Sequence, residues 1–239
     1  MMRTYAMCLA VALIGVIAVS GEMFADPSAG VTTRPLTTGP TTDAAIRPST
    51  TRPSDGEATF FDARILRGIR HVVFVADRSE SMAISENGDP LLNTVKKQMG
   101  LAIGQLNDKQ NFHVIFYSSG KPLELDGKAL VPATERNKEK AAAFVEKVSA
   151  SGRTNPLPAL ERAVEVLNQD KNSKGKQMCL LTDGDFSDIE AVTTYIMSNC
   201  KGIIVHVYVF GDESHPTIRD AMKKTAKMTG GTFKVIGGE

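Results

Sequence analysis

Between His71 and Asp77 the chain reads Val72-Val73-Phe74-Val75-Ala76 with no polar residue in between. An apolar run of that length without alternation is a strand covered on both faces. Covering both faces takes helices above and below, so this segment points to a largely parallel α/β sheet. The sequence supplies such helices in alternation with further strands. Asp89-Pro90 reads as an N-cap and first helical residue, followed by Leu92, Val95, Met99, Ile103 and Leu106 at helical spacing. Asn111 to Ser118 is a second strand, and Pro122 to Leu125 a short antiparallel return after the turn at Gly120. Thr134 opens a helix to about Ser149, and Pro156 opens another with Leu160, Ala163, Val164 and Leu167 on one face. Strand Gln177 to Thr182, helix Ser187 to Ser198, strand Ile203 to Phe210, and helix Pro216 to Met228 follow. Gly230-Gly231 stops that helix and feeds a last strand, Thr232 to Ile236. Met222 and Met228 read as core residues of it.

The first 56 residues belong to none of this. Arg3, the apolar stretch Ala6 to Val19, and small residues Ala18 and Ser20 ahead of Gly21 form an export signal over residues 1–20. The stretch is short for a span of ~20 residues, and an uncleaved signal anchor is the other reading. Residues 21–56 form a linker: from Asp26 to Asp55, Thr, Pro and Ser make up sixteen of thirty residues. Such a segment buries too little apolar surface to offset its chain entropy and is expected to be disordered. The folded domain is expected over residues 57–239, with Phe60-Phe61 in an extra edge strand that anchors the linker. This arrangement implies an exported protein: periplasmic, secreted or tethered outside the cytoplasm.

Charge narrows the partners. With 28 basic and 27 acidic residues, a net charge of +1 and no Lys/Arg run, nothing marks a nucleic-acid or anionic membrane surface. The membrane enters only through a retained N-terminal anchor. Cys8 lies in the leader, which leaves Cys179 and Cys200 either as two buried thiols or as a pair in an oxidising compartment. No Cys/His spacing suggests zinc.

The chemistry lies in three separated pieces. Asp77-Arg78-Ser79-Glu80-Ser81 ends the first long strand, Gly152-Arg153-Thr154-Asn155-Pro156 precedes a helix, and Leu180-Leu181-Thr182-Asp183-Gly184-Asp185 ends a later strand. In open α/β sheets, ligands gather at the carboxyl ends of the strands where strand order reverses, so the three pieces should converge. Hydroxyl and carboxylate oxygens are hard donors suited to Mg²⁺, Mn²⁺ or Ca²⁺. A shell led by neutral hydroxyls leaves the ion able to attract an incoming carboxylate.

These pieces resemble the metal-ion-dependent adhesion site of von Willebrand factor A-type domains, including integrin I-domains, over about residues 59 to 238. Asp77, Ser79 and Ser81 match that family's Asp-x-Ser-x-Ser, Thr154 its lone threonine and Asp183 its second aspartate. The resemblance implies that Ser79, Ser81 and Thr154 touch the metal while Asp77 and Asp183 act through water. It also implies a Rossmann-like, doubly wound, mostly parallel six-stranded sheet of order 3-2-1-4-5-6, strand 3 being an antiparallel edge. Glu80 and Arg153 stand where many bacterial relatives have glycine. They are read as solvated side chains, the alternatives being competition with, or guidance of, an acidic ligand. Asp185, Asp188 and Glu190 read as helix-start acids rather than ligands, Asp212 as a rim residue, and His71, His113, His206 and His215 as strand or cap residues.

The function implied is a binding module that engages a protein partner, offering a carboxylate to the metal. One alternative is a structural subunit of an envelope complex in which the metal only orders loops. A metal-dependent hydrolase is the third. A phosphatase of the haloacid dehalogenase type also starts with a strand ending in Asp, but needs a second carboxylate where this chain has Ser79. No Gly-x-Ser-x-Gly elbow, P-loop or Gly-x-Gly-x-x-Gly is present. Non-enzyme is the reading adopted. In integrin I-domains a further helix follows the sixth strand and couples to the metal; here only Gly237-Gly238-Glu239 follow Ile236. Those residues are too few and too glycine-rich for a helix, so binding without a long-range switch is expected.

Overall fold

The computed structural model describes residues 68–86, 88–170, 174–184, 188–210 and 216–236. The leader with Cys8, the Thr/Pro/Ser-rich stretch, Phe60-Phe61, Asp185, Asp212, His215 and the tail from Gly237 lie outside the described residues. In chain order the elements are β1 (His71–Asp77), a 3-10 turn (Glu80–Ala83), β2 (Ser85–Glu86), β3 (Asp89–Pro90), α1 (Leu91–Gln105), β4 (Asn111–Tyr117), β5 (Leu123–Glu124) and β6 (Val131–Pro132). They continue as α2 (Glu135–Glu146), α3 (Leu157–Leu167), β7 (Lys176–Thr182), α4 (Ile189–Asn199), β8 (Ile203–Phe210), α5 (Pro216–Met228) and β9 (Phe233–Ile236).

The main sheet runs β5-β4-β1-β7-β8-β9. All neighbours from β4 to β9 pair in parallel, while β5 and β6 return antiparallel along β4. The sheet has seven strands rather than the expected six, because Val131–Pro132 also closes on Asn111 and Phe112. A two-residue edge piece has no periodicity to betray it, and an edge is where a strand proline is tolerated.

Strand residues divide between two apolar layers. Val72, Phe74, Ala76, Phe112, Val114 and Phe116 pack with Leu92, Val95 and Met99 of α1 and with Ala141 and Val145 of α2. Val73, Val75, Ile115, Leu180 and Val207 pack with Leu160 and Leu167 of α3, Val192 and Ile196 of α4 and Met222 of α5. Every residue of β1 is buried, the physical reason for its unbroken apolar sequence. Helices α1 and α2 therefore cover one face and α3, α4 and α5 the other. Strand order reverses between β1 and β7, which places a crevice at their carboxyl ends.

Two local expectations are corrected, and of the two readings of the cysteines the buried-thiol one holds. Asp89 is not the N-cap of α1: it pairs with Glu86 in a small hairpin, and Pro90, extended at ψ 139, precedes the helix. Met228 is 59% exposed rather than core, because it occupies the final turn of α5 on the solvent side. Cys179 and Cys200 are free buried thiols that belong to layers on opposite faces of the sheet. Burial pushes both thiols up, Cys200 to about 12, so neither is a ready nucleophile.

Candidate metal centre

Asp77 is the last residue of β1, opposite Tyr117 of β4 and one position beyond the last β1–β7 pair. Its carboxylate is fully buried; Ser79 N–H donates to Oδ1 at 2.7 Å, and Thr182 Oγ donates to Oδ2 at a long 3.5 Å. The chain then turns into the 3-10 segment, with Met82 N–H closing on Ser79 O at 3.0 Å and the Met82 side chain anchored in the core. That turn brings Ser79 Oγ and Ser81 Oγ to 2.9 Å from one another. Ser79 is buried and Ser81 half-buried, so the pair sits at the floor of a surface site.

The Thr154 loop is docked onto this turn. Ser151 N–H donates to Arg78 O at 2.8 Å and Glu80 N–H to Gly152 O at 2.9 Å. Gly152 has φ +79, a left-handed conformation that favours glycine, and a Cβ there would stand 2.8 Å from Ser119 Oγ. Arg153 N–H donates to the same Ser119 Oγ at 3.2 Å, and Asn155 Oδ1 accepts from Leu157 N–H at 3.3 Å where α3 starts. Thr154 stands half-buried between these anchors. The side chains of Glu80 and Arg153 are exposed and their backbone amides do the bonding, in keeping with the solvated reading.

Asp183 follows β7, half-buried, and Gly184 N–H donates to Thr182 Oγ at 3.0 Å. Its proximity is felt electrostatically. Burial and then the Asp183 charge lift Asp77 from 3.8 to about 7, against the pull of the Ser79 hydrogen bonds. The Tyr117 phenol, fully buried, faces Asp77 and Thr182 without a well-formed hydrogen bond and is pushed well above its ordinary value by burial and by Asp77. None of the groups acting most strongly on Asp77 is positively charged.

A hard cation suits that deficit: two carboxylates and three hydroxyls are the oxygen donors such an ion takes, and its charge would offset the repulsion between buried Asp77 and half-buried Asp183. Among the described residues no group of three or more His, Cys, Asp and Glu stands together, so no softer-metal cluster competes. Asp188 caps α4 by accepting from Ala191 N–H at 2.8 Å. His71 faces Asp170, His113 faces Glu124 and His206 accepts from Thr232 N–H, each away from Asp77. Sequence reasoning missed Tyr117 and Ser119, and the contact of Thr182 with Asp77, because all three contribute through tertiary contact.

Residues 72–186 match the family model of the von Willebrand factor type A domain, a span that contains all five candidate ligands. Inter-alpha-trypsin inhibitor heavy chain H1 of Mesocricetus auratus is 29% identical over 154 residues, covering 62% of this chain and 16% of that protein. Inter alpha-trypsin inhibitor, heavy chain 4, of Mus musculus is 31% identical over 144 residues, 56% of this chain and 14% of that protein. The chain thus spans less than a fifth of the length of these curated relatives. Among solved structures, von Willebrand factor type A from Catenulispora acidiphila superposes with TM-score 0.62 at 22% identity, over 71% of this chain and 39% of that one. The pilus adhesin SpaC of Lactobacillus rhamnosus GG gives 0.58 at 17% identity, over 71% and 28%. At these identities the structural likeness shows the fold.

Proposed function

We propose that this chain, whose residues 72–186 match the von Willebrand factor type A domain, is an exported binding module that holds a protein partner through a divalent cation. Domains of this type are typically protein-interaction and adhesion modules. Asp77, Ser79, Ser81, Thr154 and Asp183 would hold Mg²⁺, or Mn²⁺ or Ca²⁺ in its place. When bound, the ion supplies a Lewis-acidic position for a carboxylate of the partner. The chain's own residues fix the donors beforehand: Met82 anchors the serine turn, and backbone bonds hold the Thr154 loop against it.

The observation that carries this reading is the buried Asp77, lifted to about 7 by burial and by the neighbouring Asp183 charge, with no cation among the groups acting most strongly on Asp77. The loops are already joined by protein hydrogen bonds, which favours binding over a role for the metal in ordering them. No described histidine stands beside Asp77 as a general base, which favours binding over hydrolysis. Immobilised chain should capture its partner from an envelope extract in Mg²⁺ and release it in EDTA, with recovery on Mg²⁺ re-addition. Equal capture in EDTA would overturn the metal-bridged reading.

The proposal extends to the organisation of the chain: residues 1–20 as signal or anchor, 21–56 as linker and 57–239 as the folded domain. Among the described residues no helix is long and apolar enough to cross a membrane. Intact-mass analysis of the protein from its source cells should find a mature form starting at Gly21 in the extracytoplasmic fraction. A Met1 form retained in membranes would identify an anchor, and a cytoplasmic pool would overturn export.

A further inference from the structure

We propose that Arg78, between Asp77 and Ser79, is a positioning residue that straps the Thr154 loop to the serine turn and so sets where Thr154 stands. The inference rests on the metal-site reading above. The loop leads from α2, on one face of the sheet, to α3 on the other, crossing the carboxyl ends of the strands with no ladder of its own. Its tethers therefore decide its position.

Arg78 supplies tethers to the loop from two of its groups, and a third fixes its own backbone to β4. Its N–H donates to Tyr117 O at 2.9 Å, extending the β1–β4 pairing and fixing its backbone. Its carbonyl accepts from Ser151 N–H at 2.8 Å. Its guanidinium Nη1 donates to Ser149 O at 3.1 Å and to Ser151 Oγ at 2.6 Å. One residue thus grips two positions of the loop a few residues ahead of Thr154, while Ser119 holds Arg153 from the other side. The main-chain contacts survive substitution by alanine or lysine, whereas the guanidinium contacts depend on the arginine. A planar guanidinium can serve two acceptors at once and bonds more strongly than a neutral donor. The equivalent role around known metal sites is that of outer groups that orient ligands, whose loss weakens affinity by roughly 10–100-fold.

The test uses the full chain, Mg²⁺ calorimetry and amide hydrogen exchange without metal. Arg78→Ala should weaken Mg²⁺ binding by about tenfold and speed exchange in residues 149–154, with β1, β4 and β7 still protected. Arg78→Lys should recover part of the affinity. Ser151→Ala, which removes one acceptor and leaves the arginine in place, should lose affinity in the same direction but less. Unchanged affinity in Arg78→Ala and Ser151→Ala would overturn the proposal. So would loss of protection throughout the sheet with normal exchange in the loop relative to it, since that marks a merely structural arginine. If the unmodified chain binds no Mg²⁺, the metal reading fails first and takes this inference with it; binding in the unmodified chain with indifferent variants sinks the strap alone.

Discussion

Replacing Asp77 and Asp183 together by alanine is expected to weaken Mg²⁺ binding by more than ~100-fold while the domain stays folded. Both carboxylates stand at the ends of strands rather than within the two apolar layers, so their loss opens no large core cavity. Calorimetry reads the affinity, and Asp188→Ala is the control, because that acid caps α4 and should leave binding unchanged. Equal affinity in the double variant and the unmodified chain would remove the proposed site. The metal-free protein offers a second readout. Asp77 is raised from 3.8 to about 7, by burial first and by the Asp183 charge second. A carboxyl raised on folding contributes its full stability below its unfolded value, and that contribution is lost as the pH rises through the folded value. Asp77→Asn cannot ionise, so without metal it should melt several degrees above the unmodified chain at pH 8 and converge with it near pH 4. Saturating Mg²⁺ should stabilise only the unmodified chain.

Much of that site is readable in the sequence, because Asp77, Ser79 and Ser81 share one turn and Thr154 and Asp183 follow recognisable boundaries. The alternation of apolar strands with amphipathic helices is equally plain, since β1 and β8 are buried along nearly their whole length and read as largely apolar runs. What escapes is whatever depends on partners far along the chain. Arg78 meets Ser149 across 71 positions and Thr182 meets Asp77 across 105, so no local spacing signals either contact. Short edge elements escape for a different reason. Val131–Pro132 and the hairpin ahead of α1 comprise two-residue strands whose pairing is set by backbone geometry, and there the capping reading of Asp89 yields to an extended Pro90.

The largest loss of stability is expected from one methyl group at the far end of the sheet. Helix α5 finishes with Gly230 at φ +79, its N–H bonded to Lys227 O at 3.1 Å, and Gly231 N–H bonded to Ala226 O at 2.8 Å. This paired closure satisfies the last carbonyls of the helix. The same turn is pressed against β8: Val207 N–H donates to Thr232 O at 2.8 Å and Thr232 N–H donates to His206 Nδ1 at 3.1 Å. A Cβ on Gly231 would lie 1.9 Å from Val205 O and 2.5 Å from Val205 C. Those are main-chain atoms of a buried strand and cannot swing aside, so the turn must move and pull β9 from its register with Val207 to Phe210. Gly231→Ala should therefore cost about 3 kcal/mol or more, a drop of roughly 6–12 °C in Tm for a domain of this size. Gly100→Ala is the contrasting substitution: it lies on the exposed side of α1 with nothing within 4 Å, and should stabilise by ~0.5–1 kcal/mol through helix propensity. Because the Gly231 turn precedes β9, it lies at the amino ends of the parallel strands, opposite the candidate site. Mg²⁺ affinity in Gly231→Ala should consequently match the unmodified chain below the melting transition. A Tm within ~2 °C of the unmodified chain would show instead that the turn relaxes without disturbing β8, and that β9 contributes little to holding the sheet.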